Sequence, residues 1–216
     1  MNLLIIGAPG AGKGTMSERI IEEYDIAHIS TGDILRQAIK DATPVGKKAQ
    51  EYMDKGNLVP DSIIHDLIVE RLSMDDINKG FLFDGYPRTI EQAIDFSEIA
   101  EKLGKKIDAV INLDIEDEVL FKRITGRRLC PQCGAIYNIY YKPTSKENVC
   151  DECGGELIIR ADDNAESLKV RLEAYHNLTE PIIDYYKKMD LVRNVNADQT
   201  TDDVFNDIKA ILEGLK

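Results

Sequence analysis

Nine residues near the N-terminus constrain this chain more than any other segment: Gly7-Ala8-Pro9-Gly10-Ala11-Gly12-Lys13-Gly14-Thr15. They follow an apolar run, Leu3–Ile6, and precede a helical pattern of apolar residues. Glycines let backbone N–H groups wrap a phosphate, and the following helix points its positive end at the same anion. Lys13 adds a charge and Thr15 a hydroxyl for Mg²⁺. The segment predicts a phosphate-binding loop, with an unliganded glycine-rich turn as the alternative. Gly14 is unusual, because Ser or Thr ordinarily follows the lysine directly.

Composition and charge narrow the class of protein. The 216 residues suit one large domain or a core with an insertion, and 43% hydrophobic with 31% charged residues describe an ordinary soluble protein. No apolar run could span a bilayer and the N-terminus has no leader pattern, so we expect a cytoplasmic protein without a membrane partner. A net charge of −12 argues against a nucleic-acid partner. Any phosphate site must therefore be locally basic, and arginines are the candidates because they hold phosphate oxygens in pairs.

Apolar runs alternate with helical patterns along the chain. The predicted strands are Leu3–Ile6, Ala27–Ile29, Gly80–Asp84, Ala109–Leu113 and Leu191–Val195. Predicted helices include Ile63–Leu72, Ile90–Leu103, Glu116–Ile124, Leu168–Lys188 and Val204–Leu215. This alternation predicts an α/β fold with a five-stranded parallel sheet flanked by helices, whose ligands lie at the carboxyl ends of the strands. Two stretches depart from it and are interpreted as insertions: the helical region from Thr31 to about Met74, and residues 127–160.

All four cysteines lie in the second insertion. Cys130 and Cys133 form one Cys-x-x-Cys-Gly pair, Cys150 and Cys153 form another, and 16 residues separate the pairs. This spacing is typical of a four-cysteine structural zinc site, since each pair chelates from one tight turn. A redox pair, disulfides and an iron site are the alternatives, and the cytosol disfavours disulfides. We expect the metal to hold a segment too small for its own core, and to take no part in catalysis.

Polar motifs follow two of the predicted strands. Asp84-Gly85-Tyr86-Pro87-Arg88 comes after a buried strand, with Gln92 four residues later. Asp84 is therefore a candidate carboxylate for Mg²⁺, with helix capping as the alternative. Ser30-Thr31-Gly32-Asp33 combines a helix cap with Arg36 one turn inside the helix.

Further arginines flank the second insertion. Arg123 and Arg127 are four residues apart, which places them on one face if the segment is helical. Arg160-Ala161-Asp162-Asp163 leads into a helix that carries Arg171. These residues predict a second set of basic groups near the phosphate-binding loop.

Taken in order, these motifs closely resemble those of the adenylate kinase family, in its bacterial long-lid form with four zinc-binding cysteines. The resemblance covers essentially the whole chain, and Gly-Lys-Gly-Thr is the family's own variant of the loop. It implies a P-loop NTPase-like CORE (1–29, 60–126 and 161–216), a helical AMP-binding insertion (30–59) and a small zinc-binding LID (127–160). It also implies a monomer that maintains adenine nucleotide levels. The reaction would be direct in-line transfer from Mg-ATP to AMP, giving two ADP without a covalent intermediate.

The resemblance also implies residue roles. ATP would be bound by Gly10, Ala11, Gly12, Lys13, Gly14, Thr15, Arg123, Arg127, Ile136, Tyr137 and Gln199. AMP would be bound by Thr31, Arg36, Asn57, Leu58, Val59, Gly85, Tyr86, Pro87, Arg88, Gln92, Arg160 and Arg171. The catalytic residues would be Lys13, Arg88, Arg127, Arg160 and Arg171, while Asp33 and Asp84 would hold Mg²⁺ through water and Cys130, Cys133, Cys150 and Cys153 the zinc. Departures from the family are Tyr86 for a usual Phe, Asn57 for Lys or Glu, and Asn196–Gln199 for an Asp-Gly stretch.

Catalysis of this kind needs no general base, because an AMP phosphate oxygen is already ionised near neutral pH. The three histidines, His28, His65 and His176, lie outside the motifs and are interpreted as structural or surface residues. Positioning and charge neutralisation would then carry the reaction, with a closing LID to exclude water. A rigid, zinc-held LID that moves as one body is our hypothesis for the metal. Alternatives are a kinase for UMP or CMP, a nucleotide-binding switch, and a zinc-ribbon interaction module without catalysis.

Overall fold

A five-stranded parallel sheet forms the centre of the protein, in the order β2-β3-β1-β4-β7. The computed structural model describes residues 1–215, apart from the side chain of Asp66, so Lys216 at the end of the expected CORE lies outside it. The strands of this sheet are β1 (Asn2–Gly7), β2 (Ala27–Ser30), β3 (Phe81–Asp84), β4 (Ala109–Asp114) and β7 (Val192–Asn196). All five predicted strands are present, and the predicted α/β class is confirmed.

Helices cover both faces of the sheet. They are α1 (Lys13–Tyr24), α2 (Thr31–Lys40), α3 (Pro44–Met53), α4 (Asp61–Leu72), α5 (Ile90–Lys102), α6 (Asp117–Thr125), α7 (Ala165–Ala174), α8 (Pro181–Lys187) and α9 (Thr201–Glu213), with a 3₁₀ turn at Asp75–Lys79. Several of these helices are preceded by a capping residue whose side chain accepts a hydrogen bond from the backbone N–H three residues later. That bond satisfies one of the first-turn N–H groups that have no partner within the helix. These caps are Ser30, Thr43, Thr89, Asn164 and Thr200.

The continuous apolar run of β1 is explained by burial on both faces. Leu3 and Ile5 pack into one hydrophobic cluster, with α1 and α9, and Leu4 and Ile6 pack into the other, with α4 and α5. All four side chains are at most 3% exposed. Because successive side chains alternate across a strand, burial on both faces requires an unbroken apolar run.

One helix that the sequence predicts as continuous is interrupted in the structure. The sequence predicts a single helix over Leu168–Lys188, but a π-helical turn at Tyr175–Thr179 separates α7 from α8. Its bond runs from Glu180 N–H to the carbonyl of Tyr175 at 2.8 Å. Pro181 supplies the physical reason, because it has no N–H to donate and its ring crowds the carbonyl four residues earlier.

Residues 127–160, here called the LID segment, form a small separate unit. Its strands β5 (Arg127–Leu129) and β6 (Ile136–Asn138) pair antiparallel, and Leu129 also bridges Ile158. Its apolar cluster consists of Cys130, Tyr137, Cys150 and Leu157, which is too little to stabilise a fold alone. None of the helices among residues 1–215 is long and apolar enough to cross a membrane.

Candidate active site

The glycine-rich loop connects the carboxyl end of β1 to the start of α1. Gly12 caps α1 with a left-handed φ of 101°, and no side chain caps its first N–H groups. Position 7 requires glycine because β1 and β4 approach each other closely there. A Cβ at Gly7 would lie 2.9 Å from the carbonyl oxygen of Leu113. The first turn of α1 thus presents free backbone donors and the positive end of a helix dipole to an anion.

Lys13 lies inside this loop. Its Nζ donates to the carbonyls of Gly7 (2.7 Å) and Ala8 (3.0 Å). Burial lowers the pKa of Lys13 to about 8; Asp84 opposes that shift, whereas Arg88 reinforces it. The ammonium is therefore held beside its own loop without a bonded carboxylate among the described residues, and a phosphate would be a better partner than the two carbonyls.

A second loop follows β3 at the neighbouring strand end. Thr31 Oγ1 donates to the carbonyl of Gly85 at 2.8 Å, and Arg88 Nε donates to the same oxygen at 2.7 Å. Gly85 has φ of 79°, and a Cβ there would lie 2.9 Å from a terminal nitrogen of Arg88. Tyr86 precedes a cis bond to Pro87 and is buried, with its ring tilted against that of Phe83 and edge-on to that of Phe96. The loop is shaped around the Arg88 guanidinium, while the Tyr86 side chain lies in the core.

Gln92 lies beside this second loop, at the start of α5. It is 5% exposed and both ends of its amide are bonded. Its Oε1 accepts from the Arg88 backbone N–H at 2.7 Å, and its Nε2 donates to Asp61 Oδ1 at 2.5 Å.

The predicted basic residues converge on one space between the two loops. Burial, together with the charges of Arg36 and Arg127, lowers the pKa of Arg160 to about 10. Burial likewise lowers the pKa values of Arg88 and Arg171. The charge of Arg171 adds to the fall at Arg88, and the charges of Arg127 and Arg36 add to the fall at Arg171. The Nε of Arg160 is buried without a hydrogen-bond partner among residues 1–215. A locally basic cavity thus exists in a protein of net charge −12, as the sequence requires for an anion site.

Two aspartates hold part of this cluster in place. Asp163, whose side chain is 0% exposed, accepts from Arg127 Nε at 2.7 Å and also from Arg127 Nη2. Asp162 pairs with Arg171 at 2.9 Å, and Asp163 lies 3.8 Å from the same guanidinium. The arginines are therefore oriented before any ligand arrives.

Arg123 and Arg127 do not share a helix face. Helix α6 ends at Thr125, so Arg127 lies in β5 instead, where it meets Asp163. Arg123 remains in the last turn of α6 and donates to the carbonyls of Ala11 (3.4 Å) and Ala197 (2.8 Å). The two arginines would share a face only if the segment were helical as far as Arg127, and that condition is not met because the helix ends with Gly126 as its C-cap.

The LID segment lies over the glycine-rich loop. A Cβ at Gly14 would lie 4.0 Å from Cδ1 of Ile136. Burial raises the pKa of Glu18 in α1, and the charge of Lys142 in the LID segment partly offsets that rise. Tyr137 points the other way: its hydroxyl meets Cys150 Sγ at 3.5 Å and accepts from the Asp151 N–H at 3.0 Å. Of Ile136 and Tyr137, only Ile136 directs its side chain toward the glycine-rich loop.

The remaining predicted residues differ in their exposure. Asn57 is exposed, Leu58 is half-buried and Val59 is buried in the main core. Asp33 pairs with Arg36 at 2.5 Å. Gln199 is exposed, and its Nε2 donates to the carbonyl of Asn196 and to Asp207, both at 2.9 Å.

The four cysteines form a metal-ligand cluster. Their sulfur atoms all lie within 4.8 Å of one another, with Cys130 and Cys153 at 3.4 Å and Cys133 and Cys150 at 3.6 Å. A tetrahedral Zn²⁺ with bonds of about 2.3 Å places its sulfurs about 3.8 Å apart, so the four groups fit that ion. Gly134 and Gly154 have left-handed φ values, and each donates to the carbonyl of the first cysteine of its pair. The tight turns that the sequence predicts are present.

Three residues of the site carry roles that the sequence patterns did not reveal. They are Asp61 beside Gln92, Asp163 beside Arg127, and Thr179, whose hydroxyl donates to the carbonyl of Arg88 at 3.0 Å. Asp163 belongs to the Arg160–Asp163 motif, but no local sequence pattern predicts its pairing with Arg127, which lies 36 residues earlier. The other two contacts depend equally on tertiary packing.

Comparisons with known proteins agree over nearly the whole chain. The profile of the family described as "Adenylate kinase" matches residues 5–191. The adenylate kinase of Bacillus subtilis (strain 168) is 49% identical over 216 residues, which is 100% of both chains. That of Caldanaerobacter subterraneus subsp. tengcongensis is 51% identical over 214 residues, covering 99% of this chain and 97% of the relative. That of Archaeoglobus fulgidus is 49% identical over 216 residues and 100% of both chains.

Proposed function

The chain belongs to the adenylate kinase family, and from that premise we propose that it transfers a phosphoryl group reversibly from Mg-ATP to AMP, forming two ADP. One observation carries the proposal beyond family membership. Two loops at neighbouring strand ends, one built around Lys13 and one around Arg88, face a single buried basic space. A switch that only bound nucleotide would need the first loop alone.

The donor side is the glycine-rich loop. Backbone donors from Gly10 to Thr15 would surround the ATP phosphates, and Lys13 would exchange its two carbonyl partners for phosphate oxygens. Arg123 would cover the adenine, supported by its position against Ala11 and Ala197. Ile136 and Gln199 would line the same side.

The acceptor side is the second loop with its neighbours. Arg36 and Arg88 would hold the AMP phosphate, and Thr31 and Gly85 would shape the pocket. Gln92 would read the adenine edge, supported by its fixed place beside Arg88. Residues 57–59 would close the pocket through their backbone.

The phosphoryl transfer itself depends on offsetting the negative charges of the two nucleotides. An ionised oxygen of AMP attacks the γ-phosphorus of ATP, the bond from that phosphorus to the bridging oxygen breaks, and the electron pair leaves with ADP. Lys13, Arg88, Arg127, Arg160 and Arg171 offset the repulsion between the two polyanions. No protein base is required, so positioning and electrostatic stabilisation supply the rate enhancement.

The LID segment would exclude water, which is the competing acceptor. Its position above Gly14, with Arg127 and Arg160 directed into the basic space, supports this role. When it opens, both arginines withdraw and ATP can enter or ADP can leave.

Two metals complete the proposal. Mg²⁺ bound with ATP would neutralise phosphate charge, with the Thr15 hydroxyl as one ligand and Asp33 and Asp84 holding the ion through water. Zn²⁺ in the four-cysteine cluster would make the LID segment rigid, since its sulfurs fit a tetrahedral site and the segment has little apolar core. The monomeric state and the cytoplasmic location stay predictions from the sequence.

Separate effects on the two substrates test this assignment. Lys13→Met is expected to lower kcat by at least about 100-fold, because it removes a charge from the transferring group. Arg36→Ala is expected to raise KM for AMP about 10- to 100-fold and to leave KM for ATP within about twofold, since a charged hydrogen bond to phosphate contributes on that scale. Near-normal turnover in the first variant, or an equal rise in both KM values in the second, would contradict the two-site arrangement.

A further inference from the structure

We infer that Asp61 is a positioning residue that fixes the side-chain amide of Gln92 in one orientation and so makes the acceptor site select adenine over hypoxanthine. The inference rests on the proposed role of Gln92 in the acceptor site. Asp61 is the first residue of α4 and is 31 residues away from Gln92 in the sequence.

The orientation of the Gln92 amide follows from the chemistry of its two neighbours. The backbone N–H of Arg88 can only donate, so the atom 2.7 Å from it must be the amide oxygen. A carboxylate oxygen of Asp61 can only accept, so the atom 2.5 Å from it must be the amide nitrogen. The opposite orientation would place two donors together at Arg88 and two acceptors together at Asp61.

This orientation leaves one donor and one acceptor of Gln92 for a ligand. The amide nitrogen has a second hydrogen and the amide oxygen a second lone pair. Adenine offers an acceptor at N1 beside a donor at its 6-amino group. Hypoxanthine and guanine reverse that order, with a donor at N1 and an acceptor at O6. An amide free to rotate by 180° would match either base in the same pose, whereas a fixed amide matches one of them.

Asp61 contributes the stronger part of this restraint. Its bond to Gln92 involves a charged group, which is about twice as strong as a neutral bond such as that from the Arg88 N–H. Gln92 is 5% exposed, so its amide has limited access to water even though Asp61 lies at the surface. Through the Gln92 amide, Asp61 thus disfavours 6-oxopurines without contacting the substrate itself.

The test compares AMP with inosine monophosphate as acceptors, at saturating ATP. In Asp61→Leu, the ratio of kcat/KM for AMP to kcat/KM for inosine monophosphate is expected to fall about tenfold, as for one charge-assisted hydrogen bond. In Asp61→Asn, which keeps an acceptor oxygen, the ratio is expected to fall less. KM for ATP is expected to stay unchanged in both, although removing an acidic residue from the first turn of α4 lowers the melting temperature slightly.

Asp95→Leu is the matched control, because Asp95 is an exposed carboxylate on α5 that has no bond to Gln92. Its AMP preference is expected to equal that of the wild type. An unchanged preference in folded Asp61→Leu, or an equal fall in Asp95→Leu, would overturn the inference. If Asp61→Leu does not fold, an unchanged ratio in Asp61→Asn would do so.

Gln92→Ala separates this inference from the proposed function. Loss of AMP preference in Gln92→Ala, together with normal preference in Asp61→Leu, would overturn only the role of Asp61. Unchanged preference in Gln92→Ala would instead remove Gln92 from the acceptor site, and the inference would fall with it.

Discussion

Neutralising Asp163 should destabilise the protein and make its stability depend strongly on bound nucleotide. Its side chain is fully buried, accepts two hydrogen bonds from Arg127 and lies 3.8 Å from Arg171. Removing one partner of a buried ion pair costs about 3–5 kcal/mol. Asparagine retains one acceptor oxygen, so we expect about 3 kcal/mol for Asp163→Asn. For a chain of this length, that corresponds to a fall of roughly 6–12 °C in Tm.

Thermal unfolding with and without a dinucleotide polyphosphate that spans both sites is the assay. Phosphate oxygens should supply part of the negative charge that the variant lacks, so the ligand should narrow the difference in Tm from the wild type. Asp162→Asn is the control, because Asp162 and Arg171 are each more than 20% exposed and their pair is better solvated. Its expected cost is about 1 kcal/mol. A Tm for Asp163→Asn no lower than that of Asp162→Asn would refute the reasoning.

Three further results are expected. Because the pKa of Lys13 is lowered to about 8, its ammonium loses its proton above that pH in the free enzyme. The value of kcat/KM for ATP should therefore fall about fivefold from pH 8 to pH 9 and stay nearly flat from pH 6 to 7, and a flat pH profile up to pH 9 would contradict this expectation. Thr179→Val removes the 3.0 Å hydrogen bond to the Arg88 carbonyl and should raise KM for AMP about fivefold, whereas Thr179→Ser should have a near-normal KM. Equal KM values in the two variants would argue against a role of Thr179 in positioning Arg88. Replacing Cys130 and Cys133 by Ser should abolish metal binding and lower Tm, measured by metal analysis and calorimetry; normal metal content would exclude the four-cysteine site.

Local signals were enough to predict the sheet and the two loops. The unbroken apolar run Leu3–Ile6 is typical of a strand buried on both faces, and the glycines after it favour a tight turn suited to an anion. The cysteine spacing likewise determined a cluster, because each pair is closed by a local turn. These features depend on residues near one another in the sequence.

What the sequence did not reveal depends on distant partners. Arg127 seemed to belong with Arg123 on a helix, yet its position is set by β5 and by Asp163. Tyr137 has the alternation of a strand, which does not tell which face meets the nucleotide; its side chain packs on Cys150 in the LID segment. The helix over Leu168–Lys188 kept its apolar period through the π turn, so only Pro181 signalled the break.

The proposed function requires two nucleotide sites that face one another and exchange a phosphoryl group. It is tested most directly by following ATP, AMP and ADP together in a reaction of the purified protein with Mg²⁺. The expected result is two ADP for each ATP and AMP consumed, formation of ATP and AMP from ADP alone, and inhibition by a dinucleotide that spans both sites. Consumption of ATP with release of inorganic phosphate, or transfer to UMP or CMP in preference to AMP, would contradict it.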